Sequence, residues 1–575
     1  MPSPPPAPFV VDHERIADLA HTTYATTLPP RGGKPGVKSN GRIEHTVLAA
    51  FVLSYPSPTG ESHDEYSLIS LGTGLKCLPY SSLSVNGDVL HDQHAEVLAR
   101  RGARLWLLQR LQHEVQCDEI GLRLFEVGAQ EESRRWKLKQ YVRMHLYIST
   151  LPCGDASGRL LEYQRAAQDH VAGKPNTLTP AQLLQLHTHT PPPPQHTSLN
   201  ILKDEESVVR RGRASSSNQP SSTTLRTKPG RPDAPASICM SCSDKLALWN
   251  HPHIGLQGSL LSAVLEPIRI LSVTICDHPT KHILPPFSNS PSDPAIETQR
   301  EELKRLLAAD CLRALQRARP PCDPDPIIVG WSTTPFPDSK ESKLEHAWST
   351  FLTTHTDSPH ISMFKEFEPV SCPNSVLFVR DPTLGTAKGT VENLASGTKM
   401  GASTKRVGRG EALKPAARSV LCRMNWFRSF VAGYGAICGV EAVSNGDILY
   451  GDAKEGAFGD GTKVYRRRKA ALLGGTEDAE KHVERFLASA REGTAVKAVF
   501  EADQGKERIA VQDTAGVEVA QDDAAKTDFK AWLRTPAVFS QFDLHGRHFE
   551  QITLETPSEM STSQHTSAPT KYTQL

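Results

Sequence analysis

The sequence predicts an α/β fold, with helices layered on a mixed β-sheet within one large domain. Over the first 280 residues, short apolar or alternating segments typical of strands are interspersed with segments of helical periodicity. Hydrophobic residues make up 38% of the 575-residue chain, as expected of a soluble protein with sizeable loops. The polar stretches look like insertions, which favours one decorated domain over two separate ones.

The predicted elements can be taken in chain order. Residues 1–40 are rich in Pro, Gly and Lys and are expected to be flexible, although DHERIADLAHTTYATTL predicts a helix from Asp12. HTVLAAFVLSY (45–55) and EYSLISLG (65–72) predict paired core strands. Apolar residues near helical spacing predict a long helix over 94–115. Further strands are predicted over 143–150 and 268–275, and further helices over 241–250 and 258–265.

The domain is predicted to span residues 41–555 with two insertions. The first, at about 170–223, contains PPPPQ and SSSNQPSSTT and is expected to be mostly a surface loop. The second, at about 474–527, is charged and rich in Ala and Gly, with one short helix predicted in EDAEKHVERFLASA. Residues 556–575 are Ser/Thr-rich and are expected to be disordered.

Bulk composition argues against a membrane protein and a secreted protein. The net charge is only +1, so any nucleic-acid surface must be local. No run of 18 apolar residues predicts a membrane span, and MPSPPPAPFVVDHERI does not resemble a secretory signal. Eleven cysteines in such a chain indicate reduced thiols and metal ligands. We therefore expect an intracellular protein of the cytoplasm, the nucleus or both, with no membrane partner.

Three short motifs carry the candidate chemistry: HAE (94–96), PCGD (152–155) and SCSDK (241–245). A hydrolytic zinc site of the deaminase type needs one His and two Cys ligands, an open position for water, and a carboxylate that is not a ligand. His94, Cys153 and Cys242 supply the ligands, and Glu96 supplies the carboxylate. Ala156 stands where a PCxxC motif would place its second cysteine, so that ligand is displaced 89 residues, to Cys242.

Each motif alone occurs by chance in many chains, and a lone cysteine is more often buried and inert. Together and in this order they are specific. Cys77, Cys239 and Cys276 are interpreted as structural. Cys239 remains the main alternative to Cys242, because CMSC places the two cysteines three residues apart.

The order HAE, PCGD, SCSDK resembles the editase-type adenosine deaminases, which comprise double-stranded-RNA editing enzymes and tRNA-specific adenosine-37 deaminases. LGTGLKC (71–77), LRTK (225–228) and GLQGSLLS (255–262) extend the resemblance. It implies a cytidine-deaminase-like layered α/β/α core, extended by a C-terminal helical region that encloses a polyphosphate. It also implies hydrolysis of adenosine to inosine with one zinc ion, Glu96 moving the protons.

Two features favour the tRNA branch of this family. RTKPGR (226–231) lies close to SCSDK, as in the tRNA enzymes, and no double-stranded-RNA-binding domain is visible. The expected substrate is adenosine 37 of an alanine tRNA. Lys76 is expected to contact a phosphate beside the flipped nucleotide. No obligate protein partner is expected. The alternatives are a double-stranded-RNA editing enzyme, a non-catalytic RNA-binding subunit and, with a poorer fit, a free-nucleoside or cytidine deaminase.

The resemblance further implies a buried inositol hexakisphosphate. Arg101 lies seven residues after His94, and Trp249 seven after Cys242, about two turns or about 10 Å deeper along each predicted helix. Cations that face inward on such helices need a buried anion. The residues that match family contacts are Arg100, Arg101, Lys245, Trp249, Gln257, Ser259, Lys399, Tyr450, Lys454, Tyr465, Lys469 and Trp532. Asp92 and Lys228 match a relay between the zinc site and the polyphosphate.

The chain departs from the family pattern at two places. Leu248 stands where many relatives have Arg, and Trp532 is followed by Leu-Arg-Thr-Pro where the family has an acidic-basic pair. The shell around the polyphosphate is therefore either thinner or refilled from Arg466, Arg467 or Arg534.

Overall fold

The computed structural model confirms an α/β fold built on a mixed sheet of eight strands. It describes residues 9–29, 32–57, 64–118, 120–128, 135–189, 208–211, 224–230, 234–281, 283, 294–320, 323, 326–354, 368–384, 388–406, 408, 410–440, 448–473, 479–491, 498–499, 529, 532–551 and 572–574.

The strands of the central sheet are β1 (Leu48–Pro56), β2 (Asp64–Thr73), β3 (Arg143–Ile148), β4 (Ser272–Cys276), β5 (Ile328–Ser332), β6 (Asn374–Arg380), β7 (Gly389–Ala395) and β8 (Thr398–Lys399). Their order across the sheet is β5-β4-β3-β1-β2-β6-β7-β8. The β3–β4 and β4–β5 pairs are parallel and the remaining pairs are antiparallel.

The helices of eight or more residues are α1 (His13–Thr27), α2 (Ala95–Gln116), α3 (Gly158–Val171), α4 (Pro180–His189), α5 (Cys242–Trp249), α6 (Pro294–Gln316), α7 (Lys340–Thr354), α8 (Arg423–Cys438), α9 (Asp460–Leu473) and α10 (Ala479–Arg491). Short helical segments occupy Gly258–Leu261, His278–Lys281 and Tyr450–Asp452, the last continuing as a π-helix over Ala453–Ala457. None of the described helices is both long and apolar enough to cross a membrane.

The apolar core lies on both faces of the sheet. On one face, α2 packs on β1 and β2, and α8 packs in turn on α2. On the other face, α1 packs on the sheet with a separate cluster that includes Ile16, Tyr147 and Phe336. The strands are buried on both sides, which explains their nearly continuous apolar runs.

Within residues 1–40, the helix predicted from Asp12 forms as α1. Asp12 caps α1 by accepting a hydrogen bond from the Arg15 amide at 2.8 Å, as the sequence signal predicted. Glu14 accepts hydrogen bonds from the Thr333 amide (2.7 Å) and the Ser332 hydroxyl (2.9 Å). The helix is held because it covers apolar sheet surface that would otherwise face water.

Parts of the first insertion form regular secondary structure. Its N-terminal part forms α4, which buries Leu183 and Leu184 in the main core. Val208–Arg211 pairs with Thr224–Thr227, while residues 190–207 and 212–223 lie outside the described residues. In the second insertion α10 matches the predicted helix, and residues 500–528 lie outside the description. In the tail, Tyr572–Gln574 pairs with Phe549–Gln551.

Candidate functional site

Three side chains of the kind that bind metals lie close together, each at or near the junction between a strand and a helix. His94 ends the strand Asp92–His94 and precedes α2, Cys153 lies in the loop after β3, and Cys242 is the first residue of α5. Their ligand atoms all lie within 4.8 Å of one another. The Nδ1 atom of His94 is 3.8 Å from the Cys153 sulfur and 3.7 Å from the Cys242 sulfur. One imidazole and two thiolates suit zinc and leave a fourth position open in a tetrahedral site.

The local backbone fixes the two cysteines against each other. Ser241 caps α5 by accepting from the Asp244 amide, and the Cys242 amide donates to the Cys153 sulfur at 3.3 Å. Gly154 has a φ of 111°, and a Cβ there would lie 2.3 Å from the Ser241 hydroxyl oxygen. The loop therefore packs directly against the N-terminus of α5, where the helix dipole stabilises a thiolate.

A buried ion pair between Lys228 and Asp92 contacts the Cys242 sulfur. The Nζ atom of Lys228 lies 3.1 Å from that sulfur and 2.9 Å from Asp92 Oδ2, and Lys245 pairs with the same carboxylate. Burial alone would lower the pKa of Lys228, but Asp92 and then Cys242 raise it well above its usual range. Burial opposes ionisation of Asp92, yet Lys228 and then Lys245 hold the pKa of its carboxyl well below the usual range. The predicted relay pair is thus a charged contact behind the metal ligand.

Glu96 lies in the first turn of α2, two residues after His94, with 3% of its surface exposed. Burial raises the pKa of its carboxyl, and the negative charge of Cys153 raises it further. A carboxyl that takes up a proton readily therefore stands beside the three ligands. Lys76 lies on the strand Leu75–Cys77, opposite Gln93 of the strand that carries His94.

Sequence reasoning missed two arginines that hold the cysteine motifs. Asp155 and Asp244 each follow a candidate ligand cysteine by two residues. Arg313 of α6 donates to Asp155 at 2.8 Å, and Arg317, just after α6, pairs with Asp244 and lies 3.7 Å from Asp155. Arg317 also lies 5.1 Å above the ring of Phe529. Only the fold brings these residues together, because α6 follows SCSDK by about 50 residues of chain.

Deeper in the molecule, α2 and the C-terminal region form a cluster of positive charges, here called the cation cluster. Its members, Arg100, Arg101, Arg104, Arg423, Lys454, Arg466, Lys469 and Arg534, act on one another electrostatically. Burial, followed by Arg466 and Arg423, lowers the pKa of Lys454 to about 7, while Glu455 opposes the shift. Burial, and then Lys454, lower the pKa of Lys469 well below its usual range. So many confined cations need a compensating anion.

The structure brings only part of the predicted polyphosphate shell together. Tyr450 and Tyr465 lie against the cluster arginines, and Arg100 stacks on Trp249 at 4.4 Å. The cluster also gains members that the sequence analysis did not name: Arg104, one turn after Arg100 on the same helix face, and Arg423 at the start of α8. Of the proposed replacements, Arg466 and Arg534 join the cluster, whereas Arg467 is exposed.

The remaining predicted residues make other contacts. Lys245 is drawn to Asp92, and Lys399 forms a 2.8 Å ion pair with Glu392. The Gln257 side-chain amide bonds to the backbone at Ile254 and Ile268, and Ser259 donates to the Lys454 carbonyl at 3.0 Å. Trp532 packs on Phe529, and Leu248 is buried. These contacts follow from ordinary hydrogen bonding and packing, which spacing along the sequence does not reveal.

Comparison with known proteins agrees with the site geometry. Residues 70–285 match the model of the adenosine-deaminase (editase) domain. The chain is 32% identical over 249 residues to the tRNA-specific adenosine deaminase 1 of Schizosaccharomyces pombe, covering 43% of this chain and 53% of that protein. It is 29% identical to the human protein of the same name, covering 46% of this chain and 65% of that one. It is also 30% identical to the double-stranded RNA-specific editase Adar of Drosophila melanogaster, over 37% of this chain and 27% of that protein. The match thus spans about half the length of the first of these relatives.

Proposed function

We propose that this chain, which carries an adenosine-deaminase (editase) domain, hydrolyses adenosine to inosine in tRNA with release of ammonia. The observation that carries the proposal is the meeting of His94, Cys153 and Cys242 beside the buried carboxyl of Glu96. The donor set fits zinc. A bound zinc ion would lower the pKa of a coordinated water molecule to near 7.

In this proposal each residue has a defined task. His94, Cys153 and Cys242 would hold the zinc ion. Lys228, 3.1 Å from the Cys242 sulfur, favours its thiolate form, against burial and the neighbouring Cys153, which raise the pKa of Cys242. Glu96 accepts a proton from the attacking water and delivers it to N1 of the adenine as C6 is attacked. Glu96 then carries a proton to the departing amino group, so that ammonia leaves. Its raised pKa matches a group that must both take up and give back a proton.

The proposed substrate is the adenosine at position 37, on the 3′ side of the anticodon, of an alanine tRNA. Relatives named as tRNA-specific deaminases support the tRNA part, and the RTKPGR segment beside SCSDK supports the same branch. An adenosine in an anticodon loop is easier to extrude than one in a duplex. Lys76, on the strand beside His94, is proposed to contact a neighbouring phosphate.

The test is inosine mapping on total tRNA with the purified protein and its Glu96→Ala variant. The wild type should convert adenosine 37 and leave a long perfect duplex unedited. Glu96→Ala should retain zinc and RNA binding but lose activity to about one per cent or less, since a positioned acid–base group contributes 10²-fold or more. Efficient duplex editing would instead place the chain with the double-stranded-RNA editases, and wild-type zinc-loaded protein without turnover on either RNA would indicate a binding subunit.

We also propose that the cation cluster binds inositol hexakisphosphate as a structural ligand. The supporting observation is that Lys454 and Lys469 lie among the cluster arginines, whose positive charges lower the pKa values of both lysines beyond the effect of burial. A hexakisphosphate would restore their charged forms through charge-assisted hydrogen bonds. The paired Lys454→Ala and Lys469→Ala variant should be insoluble or inactive. Soluble, active protein from a host that makes no inositol hexakisphosphate, with no phosphate released on denaturation, would refute this.

A further inference from the structure

A second cysteine–histidine group lies beside the proposed metal centre and has no part in the chemistry above. Cys77 ends the strand Leu75–Cys77, His91 precedes the strand Asp92–His94, and Cys239 lies three residues before Cys242. The Cys239 sulfur is 2.9 Å from His91 Nδ1, and the Cys77 thiol is hydrogen-bonded to Cys239. Both cysteines are free thiols in the structure.

The hydrogen bonds assign the protons within this group. His91 Nε2 lies 3.2 Å from the Pro79 carbonyl oxygen, which can only accept, so Nε2 carries a proton. The Cys77 thiol donates to the Cys239 sulfur, which is then an acceptor on that side. His91 Nδ1, 2.9 Å from the Cys239 sulfur, is placed to exchange a proton with that sulfur, as the base does in a cysteine–histidine pair.

The electrostatics agree with this assignment. The hydrogen bond from Cys77 holds the pKa of Cys239 well below its usual range, and the contact with His91 lowers it further, against the effects of burial and of Asp92. The contact with Cys239 correspondingly raises the pKa of Cys77. By contrast, burial, together with nearby carboxylates, raises the pKa of the enclosed thiols Cys276 to about 11 and Cys311 to about 12, as expected of unreactive cysteines.

From this geometry we propose that Cys239 and Cys77 form a peroxide-responsive thiol pair, with Cys239 as the attacking thiolate and Cys77 as the resolving thiol. Cys77 is partly exposed and Cys239 retains 7% of its surface, so a molecule as small as hydrogen peroxide can approach. A thiolate next to a second thiol is the arrangement that converts an oxidised cysteine to a disulfide instead of to higher oxides.

The reaction balances without any other oxidant. The Cys239 thiolate attacks one peroxide oxygen, the O–O bond breaks, and the hydroxide that leaves takes up a proton to become the first water. The Cys77 sulfur then attacks the sulfenic acid sulfur, the S–O bond breaks, and the second water departs with the Cys77 proton. Two sulfurs lose two electrons in total, and the peroxide gains them.

The bond would join two segments that flank the metal centre. Cys77 lies opposite Asp92 in the strand pair, and the Cys239 carbonyl accepts from the Lys228 amide at 2.7 Å. Asp92 and Lys228 are the buried ion pair behind Cys242, so the cross-link would tie together the two chain segments that hold this pair.

The test treats the full-length, zinc-loaded protein with limiting hydrogen peroxide, alkylates the remaining thiols and maps peptides without reduction. We expect one linked peptide joining Cys77 to Cys239, reversed by dithiothreitol and absent from Cys239→Ser. Cys77→Ser should instead accumulate a sulfenic acid at Cys239, trapped by dimedone. His91→Gln should slow formation several-fold.

Cys117→Ser is the matched control, because Cys117 lies 3.4 Å from His113 Nδ1, and its variant should form the Cys77–Cys239 link as the wild type does. A Cys239 that stays open to alkylation after peroxide treatment, or that links to Cys242, overturns the proposal. So does loss of zinc from Cys239→Ser, which would make Cys239 a metal ligand. The experiment detects a covalent bond and needs no RNA. Its outcome is therefore independent of whether the protein has the proposed deaminase activity.

Discussion

Arg317 offers the sharpest test of how the candidate site is held together. Its side chain is 5% exposed and pairs with Asp244, which is fully buried. Arg317→Ala leaves that carboxylate without its cation, and breaking a buried ion pair by removing one partner costs about 3–5 kcal/mol. Asp244 keeps hydrogen bonds from the Ser241 hydroxyl (2.7 Å) and the Arg226 amide (3.0 Å), which places the cost near the lower end, at about 3 kcal/mol.

The assay is urea unfolding of the zinc-loaded variants, followed by the rate of zinc release to a chelator. Arg305→Ala is the matched control, because Arg305 lies within α6 but is 64% exposed and pairs with Glu302 on the surface, where a pair contributes at most about 1 kcal/mol. Arg317→Ala should also release zinc faster, since Asp244 lies two residues from Cys242. Equal stabilities of the two variants, or no coupling between Arg317→Ala and Asp244→Asn in a double-mutant cycle, would refute this reasoning.

Two further predictions concern pH and the cysteine loop. Burial lowers the pKa of His21 to about 4 and of His145 to about 3, so both are neutral when folded, and only the unfolded chain takes up their protons as the pH falls below about 6.5. Stability should therefore be full above pH 6.5 and decline toward pH 4, by up to about 3 kcal/mol for His21, and His21→Gln should flatten a thermal-unfolding profile measured across that range. A decline of equal depth in that variant would contradict the assignment. Gly154→Ala should destabilise the protein by about 1–3 kcal/mol and reduce zinc content, because of its positive φ and the clash with Ser241. Gly158→Ala, whose Cβ would meet nothing within 4 Å, should leave zinc content unchanged, and similar losses in both variants would argue against the packing described.

The parts of the molecule that sequence predicted well are those with local signals. Asp12 and Ser241 mark helix starts because an N-cap is recognised within four residues of chain. The three ligand motifs could also be recognised because each lies within five consecutive residues of the chain. By contrast, NSVLFVR (374–380) was not assigned, although it forms the strand that continues the sheet beyond β2. It pairs with β2 near Leu71, about 300 residues earlier in the chain. No pattern in either segment indicates that the two strands are neighbours in the sheet.

Long-range charge pairs were missed for a related reason. Nothing local distinguishes Arg317 from Arg305, since both stand in a charged helical region. Only the packing of α6 against α5 makes one a buried partner and leaves the other on the surface. The same holds for Lys399, whose pairing with Glu392 depends on the turn between β7 and β8.

The place of β6 in the sheet has a consequence for synthesis on the ribosome. The inner strand β2 is complete at Thr73, but the strand that covers its edge begins only at Asn374. At about 5–20 residues per second, some 300 residues take about 15–60 s to translate. During that time the edge of β2 has no strand paired to it, and such edges are templates for aggregation. A nascent chain stalled before residue 374 should therefore depend on chaperones far more than one released after it.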